Sequence, residues 1–372
     1  MAIRKRTNKD GKVTGYQVTV EGVRGPNGER KRFSKTVRTK QEAKEVELKM
    51  LNLLATGTIQ KAAPVTLAAW MSTWLDVHKP NIEASTRAGY EEKIRNYIIP
   101  SMGHIPISYI DGTFVQSWVK NMSDRGLAPR TVKNAHQCLH SAMKTAVQLR
   151  MIPHNPCEYT ILPKVEDYNA EVYTDPEIQT AINLAKGTDI FLLVFLGLAV
   201  GLRRGELCAL KWEHIDLINR KIHITENRVA VKGTVITKQP KSKSSNRIIT
   251  IGANACKVLQ TAKDEYEAKR KAYGPGFSKE GYVIHLNDGS PYHPDSITQK
   301  WGRFMAKHGL KHIRLHDLRH SCATSMVANN VDTKTVQTRM GHSSYKTTMD
   351  LYVHRTQAMD EKAAEIMDSI VC

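Results

Sequence analysis

Two short stretches hold the residue types from which anion chemistry is built. In "RLHDLRHSCAT" His316 and Arg319 stand three residues apart, so on a helix they share a face and can converge on one small anion. In "AVGLRRGELCALKW" Arg203 closes an apolar run of thirteen residues, Ile190 to Leu202, where a charge is costly unless it serves something. Arg204 beside it has an equal claim to the buried place. Near the end, "GHSSYKTTMDLYVH" sets two phenols, Tyr345 and Tyr352, among two histidines. A phenol with a pKa near ~10 is mostly protonated at neutral pH, so as a nucleophile it needs a basic partner or an electropositive site.

These residues stand in a chain of 372, long enough for two or three domains with cores of their own. Lys and Arg number 55 against 36 Asp and Glu, a formal charge of +19, which points to a polyanionic partner, nucleic acid or an anionic membrane. The membrane is disfavoured. The thirteen-residue apolar run is a buried helix by its length, and "MAIRKRTNKDGK" has no apolar stretch behind its charges, so no secretory signal is expected. A cytoplasmic protein is implied. The six cysteines are scattered without a CxxC pair, so neither a zinc site nor a disulfide framework is expected, only buried thiols behaving as small hydrophobes.

The patterning predicts a multi-domain α+β chain: a small sheet-plus-helix module, a four-helix bundle, and a mainly helical region with a small antiparallel sheet. In the first module "GYQVTVEGV" and "RKRFSKTVR" alternate around "GPNGE" as a β-hairpin, and "TKQEAKEVELKMLNLLATG" follows as a helix closed by Gly57. Residues 1–60 hold 14 Lys and Arg against 6 Asp and Glu, and Arg30, Lys31, Arg32, Lys35 and Arg38 on such a sheet could lie in a DNA groove.

Residues 66–149 carry helical spacing throughout. Leu67, Trp70, Trp74 and Leu75 form one stripe, and with Trp118 these indoles read as packing. "STRAGYEEKIRNYIIP" reads as a helix capped by its serine and stopped at Pro100. Two more helices follow, one ending at Gly126 and one starting near Pro129. Arg87, Lys93, Arg95, Arg130 and Lys133 read as exposed phosphate contacts. Beyond residue 168, Asp175 reads as a helix cap with Pro176 in the first turn. "KIHITENRVAV", "KGT" and "VITKQPKSKSSNRIITI" then read as two or three antiparallel strands.

Taken in order, Arg203, Lys241 in "ITKQPKSKSSNRIITI", His316, Arg319, His342 in "MGHSS" and Tyr352 resemble the signature of the tyrosine recombinases, the phage and conjugative-element integrase branch above all. Met340 stands where that family usually has leucine, and stays apolar. The resemblance spans the whole chain and implies an arm-type DNA-binding domain at 1–60, a helical core-binding domain at 64–160 and a catalytic domain at 168–372.

It also implies a site-specific integrase that cleaves and rejoins DNA through a 3′-phosphotyrosine intermediate and a four-way Holliday junction, without metal, ATP or other cofactor. A five-coordinate phosphorus carries more negative charge than the ground state, so cations and hydrogen bonds must be supplied there. By resemblance Arg203 and Arg319 form that clamp, since each guanidinium matches two phosphate oxygens. His316 and His342 donate further hydrogen bonds, with His316 also helping to take the phenolic proton, and Tyr352 rather than Tyr345 is the nucleophile. Lys241 protonates the leaving 5′ oxygen, although Lys238 and Lys243 are also candidates, and Glu206 orients the site.

The tail after Tyr352 places Met359, Ala363, Ile366 and Ile370 at helical spacing, and in the family such a tail packs on a neighbouring protomer. The partners implied are double-stranded DNA with core and arm sites, three further copies in a tetramer, an excisionase and a host DNA-bending protein. The competing readings are a non-catalytic architectural DNA-binding protein and strand relaxation of the type IB topoisomerase kind.

Overall fold

The computed structural model describes residues 2–7, 13–24, 30–55, 65–78, 82–166, 170–239, 246–341, 364 and 367–369. The chain divides into two compact units, 1–166 and 167–372. Each has a separate apolar core.

The first unit opens on a three-stranded antiparallel sheet of β1 (Ala2–Thr7), β2 (Val13–Arg24) and β3 (Arg30–Val37), in the order β1-β2-β3. The hairpin read from the sequence is β2-β3. Strand β1 is an addition, hidden because "AIRKRT" offers little apolar alternation and takes its place by pairing Ile3 with Val18 and Lys5 with Tyr16. Helix α1 (Lys40–Ala55) covers the sheet, and Val18, Val20 and Ala43 make a small core between them. Lys35 and Arg38 are exposed, while the side chains of Arg30, Lys31 and Arg32 and the expected stop at Gly57 lie outside the described residues.

The rest of this unit is a helical bundle of α2 (Leu67–His78), α3 (Ala84–Lys93), α4 (Ile99–Met102), α5 (Gly112–Asp124) and α6 (Pro129–Gln148). The tryptophans pack as expected, and each indole N–H finds an acceptor. Trp70 donates to the Ala142 carbonyl at 3.1 Å, Trp74 to the Thr145 hydroxyl at 3.2 Å and Trp118 to the Tyr97 carbonyl at 3.0 Å, which removes the cost of burying a polar tip.

Three expectations are corrected here. The residue flanking α3 is Glu83, with Ser85 inside the helix, and the helical path does not stop at Pro100 but runs on to Met102 through a π-helical turn at Ile94–Ile98. In that turn the Ile99 N–H reaches back to the Ile94 carbonyl, a register that accommodates a proline whose own N–H is missing. Arg87 and Lys93 are also not free exposed cations. Arg87 pairs with Glu91 at 2.9 Å and Lys93 donates to the Gly89 carbonyl at 2.9 Å, both across one helical turn, whereas Arg95, Arg130 and Lys133 are exposed.

The second unit is mainly helical. Helix α7 (Asp175–Ala185) is capped by Thr174, one residue earlier than expected, because Glu177 accepts from the Thr174 N–H at 2.7 Å. Helix α8 (Phe191–Phe195) continues into a π-helical turn at Leu196–Val200, and α9 (Arg204–Ala209) follows. The extended region is more divided than its sequence suggests. Strands β4 (Ile215–Asp216), β5 (Lys221–Ile224) and β8 (Arg247–Thr250) form one sheet, and β6 (Asn227–Val231) and β7 (Thr234–Lys238) form a separate hairpin. The reason lies at residues 225–226, where the chain leaves one sheet before its apolar alternation has ended.

Helices α10 (Ala253–Tyr273), α11 (Pro294–His308), α12 (Leu315–Ala328) and α13 (Thr333–Met340) follow, and the tail positions Met359, Ala363, Ile366 and Ile370 lie outside the described residues. Helix α12 lies against the π-helical turn, where Gly197 makes room: a Cβ there would stand 3.0 Å from a Leu318 methyl.

Candidate active site

The apolar helix that ends in the π-helical turn delivers its carbonyls to the site. Gly201 adopts φ +77°, a left-handed conformation that suits glycine. Its carbonyl accepts from Arg319 Nη1 at 2.7 Å. A second left-handed glycine, Gly341 at φ +63°, closes α13. Its carbonyl accepts from Arg203 Nη2 at 2.6 Å, while the neighbouring Met340 carbonyl accepts from Arg319 Nη2. Adjacent peptide groups therefore hold the two guanidiniums side by side.

Beside Arg203 sits Glu206, 4 % exposed. It accepts the Arg203 N–H at 2.9 Å and Arg203 Nη1 at 2.8 Å. A third arginine, Arg247 at the start of β8, grips the same carboxylate with a full fork: Nη1 to Oε1 and Nη2 to Oε2, both 2.9 Å. Arg247 Nε also donates to the Arg339 carbonyl at 2.7 Å. Burial alone would raise the Glu206 pKa, but the hydrogen bonds and charge of Arg247, joined by Arg203, hold it down at about 2. Glu206 is thus a fixed anion and not a proton carrier.

Arg319 is 2 % exposed, and its burial, followed by the charges of Arg203 and Arg247, lowers its pKa to about 9. Arg203 is more open, with a side chain 32 % exposed. The ambiguity between Arg203 and Arg204 resolves through their partners, since Arg204 turns to Asp295 at 3.0 Å on α11, in an exposed pair.

His316 lies one turn before Arg319, with its ring centroid 5.0 Å from that of His320. Its surroundings push its pKa down to about 4, burial first and then the charges of His320, Arg319 and Arg203. The ring is nonetheless exposed to solvent, which screens those charges. The imidazole is neutral at pH 7.

The structure therefore brings Arg203, Glu206, His316 and Arg319 together. Lys241, His342 and Tyr352, with the alternatives Lys243 and Tyr345, lie outside the described residues, and Lys238 ends β7. Arg247 was not foreseen. Its signal was faint: an arginine opening an apolar strand in "NRIITI", a charge in a place that demands a buried partner. Among the described residues no group of His, Cys, Asp and Glu is placed to hold a metal ion, and no helix is long and apolar enough to cross a membrane.

Residues 173–359 match the phage integrase family, and residues 66–123 match the N-terminal SAM-like domain of phage integrases. The chain belongs to the phage integrase family. It is a tyrosine recombinase of the integrase type. The ICEBs1 integrase of Bacillus subtilis (strain 168) is 27% identical over 363 residues, covering 96% of this chain and 97% of that protein. A XerC-like tyrosine recombinase of Caldanaerobacter subterraneus subsp. tengcongensis is 27% identical over 391 residues, covering 98% and 99%.

Among solved structures, the Tn1549 transposon integrase in complex with a circular intermediate DNA superposes with a TM-score of 0.71 at 21% identity, over 82% of this chain and 99% of that one. A lambda integrase tetramer bound to a Holliday junction superposes at 0.59 and 18%, over 93% of both chains. At these identities the solved structures establish the shared fold.

Proposed function

We propose that this recombinase breaks and rejoins DNA strands through a 3′-phosphotyrosine formed by Tyr352, integrating and excising a mobile element through a Holliday junction. The observation that carries the reading is an imbalance of charge: Arg203 and Arg247 both bind one carboxylate, Glu206, and Arg319 stands near enough to feel the charges of all three. Among the described residues this cluster carries more positive than negative charge. A DNA phosphate supplies a balancing anion, and the extra charge of a five-coordinate phosphorus is stabilised most where donors are already fixed and water is scarce.

In this reading Arg203 and Arg319 bind the non-bridging oxygens of the scissile phosphate, with His316 and His342 donating alongside. The Tyr352 oxygen attacks phosphorus and its proton passes to His316, whose pKa rises once a phosphate stands beside it. The bond from phosphorus to the 5′ oxygen breaks, and Lys241 gives that oxygen a proton. The phosphodiester energy is kept in the protein–DNA bond, so rejoining needs no ATP.

Residues 1–60 would bind arm sites and residues 64–160 core sites, with 168–372 carrying the chemistry. Lys35, Arg38, Arg95, Arg130 and Lys133 are exposed and suited to phosphate contacts, and Arg30, Lys31 and Arg32 belong to the same strand as Lys35. A tetramer on DNA joined by the C-terminal tails, an excisionase and a host DNA-bending protein complete the assembly. DNA as substrate places the work in the cytoplasm.

The test is a nicked core-site duplex that loses its short 5′-hydroxyl fragment on cleavage and traps the covalent adduct. Full-length protein should accumulate the adduct and Tyr352→Phe should form none. An undiminished adduct in Tyr352→Phe would remove the nucleophile assignment.

A further inference from the structure

We infer that Arg247 is a positioning residue for phosphoryl transfer, acting through Glu206 to keep the Arg203 guanidinium available to the phosphate. The inference rests on the reading of Arg203 as a phosphate-binding cation. A carboxylate offers one in-plane pair of oxygens that a guanidinium can grip with both arms, and this is its strongest contact. At Glu206 that grip belongs to Arg247, with both arms at 2.9 Å. Arg203 receives only a single side-chain contact, Nη1 to Oε1 at 2.8 Å, and is held otherwise by its backbone N–H on Oε2 and by Nη2 on the Gly341 carbonyl.

The division of labour follows from the burial. Arg247 and Glu206 side chains are 5% and 4% exposed, against 32% for Arg203. The sealed pair therefore neutralises the anion inside the protein, and the outer arginine keeps contact with solvent. If Arg247 is removed, the Glu206 charge has one close arginine left, Arg203 at the N-cap of its helix, and the fork of Arg203 is drawn to it. A phosphate then competes with a buried carboxylate for that guanidinium. Another contact of Arg247, Nε to the Arg339 carbonyl at 2.7 Å, ties the same side chain to α13, whose last residue Met340 and closing Gly341 carry the carbonyls that hold Arg319 and Arg203.

The test uses full-length protein and the nicked core-site duplex under single-turnover conditions, where the rate constant reports on the folded fraction alone and the amplitude on how much is folded. Arg247→Gln should lower the rate constant about 10²-fold, the scale of a catalytic group displaced by an ångström, while DNA affinity stays unchanged because Arg247 is buried. Arg247→Lys should recover part of the rate, since an ammonium restores the charge but not the fork, and it carries the test if the glutamine variant does not fold.

Combined with Glu206→Gln, the Arg247→Gln defect should not add, because the two act as one unit. A DNA carrying sulfur in place of the 5′ bridging oxygen, which departs without needing a proton, should show the same defect. An unchanged rate constant with reduced amplitude, additive losses, or recovery on the sulfur substrate would each overturn the inference. Absence of any adduct from the unmodified protein would instead overturn the reading beneath it.

Discussion

The helical bundle of the first unit and the arginine cluster of the second place positive charge in opposite ways. In the bundle the interior belongs to Trp70, Trp74 and Trp118, and Arg95, Arg130 and Lys133 remain exposed. In the second unit Arg319 and Arg247 are 2% and 7% exposed, and the fold bends around them with a π-helical turn and two left-handed glycines. A solvated cation attracts a polyanion over a Debye length, is screened by salt and tolerates imprecise placement. A buried one has lost its water during folding and stands fixed before the substrate arrives. The first arrangement suits holding DNA, the second suits changing it.

This contrast can be broken most severely from the side of the bundle. Trp70→Ala should destabilise that region by about 3–5 kcal/mol, and calorimetry of the full chain should show its transition move while that of the second unit holds. Arg319→Ala is expected to slow adduct formation by about 10²- to 10³-fold with DNA affinity nearly intact, which gel-shift and single-turnover assays separate. Equal losses of binding and cleavage would erase the distinction between the two units.

A smaller effect concerns acid. His316 falls from 6.5 in the unfolded chain to about 4 in the folded one, and His320 is lowered too, by burial first. Between those values the unfolded chain binds more protons, so the stability of the second unit should be full above pH 6.5 and decline as the pH falls toward 4. Denaturant midpoints across that window measure it, and His316→Gln should flatten the slope. The smallest expected change is Arg130→Ala, with stability within about 0.5 kcal/mol of the original and the slope of log affinity against log salt reduced by about one.

Much of this was legible in the chain, for reasons that differ by element. The apolar helix before Arg203 announces itself through an unbroken apolar run, and the tryptophan stripe of the bundle through its helical spacing. His316 and Arg319 were placed on one face by their spacing alone, and that placement stands in α12. What stayed hidden depends on contacts distant in sequence. Strand β1 exists because β2 offers it an edge. Arg247 and Glu206 are 41 residues apart, and no local pattern announces their pairing. The π-helical turns at Ile94–Ile98 and Leu196–Val200 arise where a helix must accommodate a proline or turn a carbonyl toward an arginine, and neither leaves a periodic trace.

The central claim is that the Arg203 and Arg319 guanidiniums offset negative charge at phosphorus, and it can be measured with a scissile linkage that lacks that charge. A core-site DNA in which a neutral methylphosphonate replaces the phosphate should be cleaved by Arg319→Ala far faster than the ordinary DNA is, because the missing cation no longer has a charge to meet. If Arg319→Ala remains as slow on the neutral linkage as on the charged one, Arg319 holds the fold and not the phosphate, and the account is wrong.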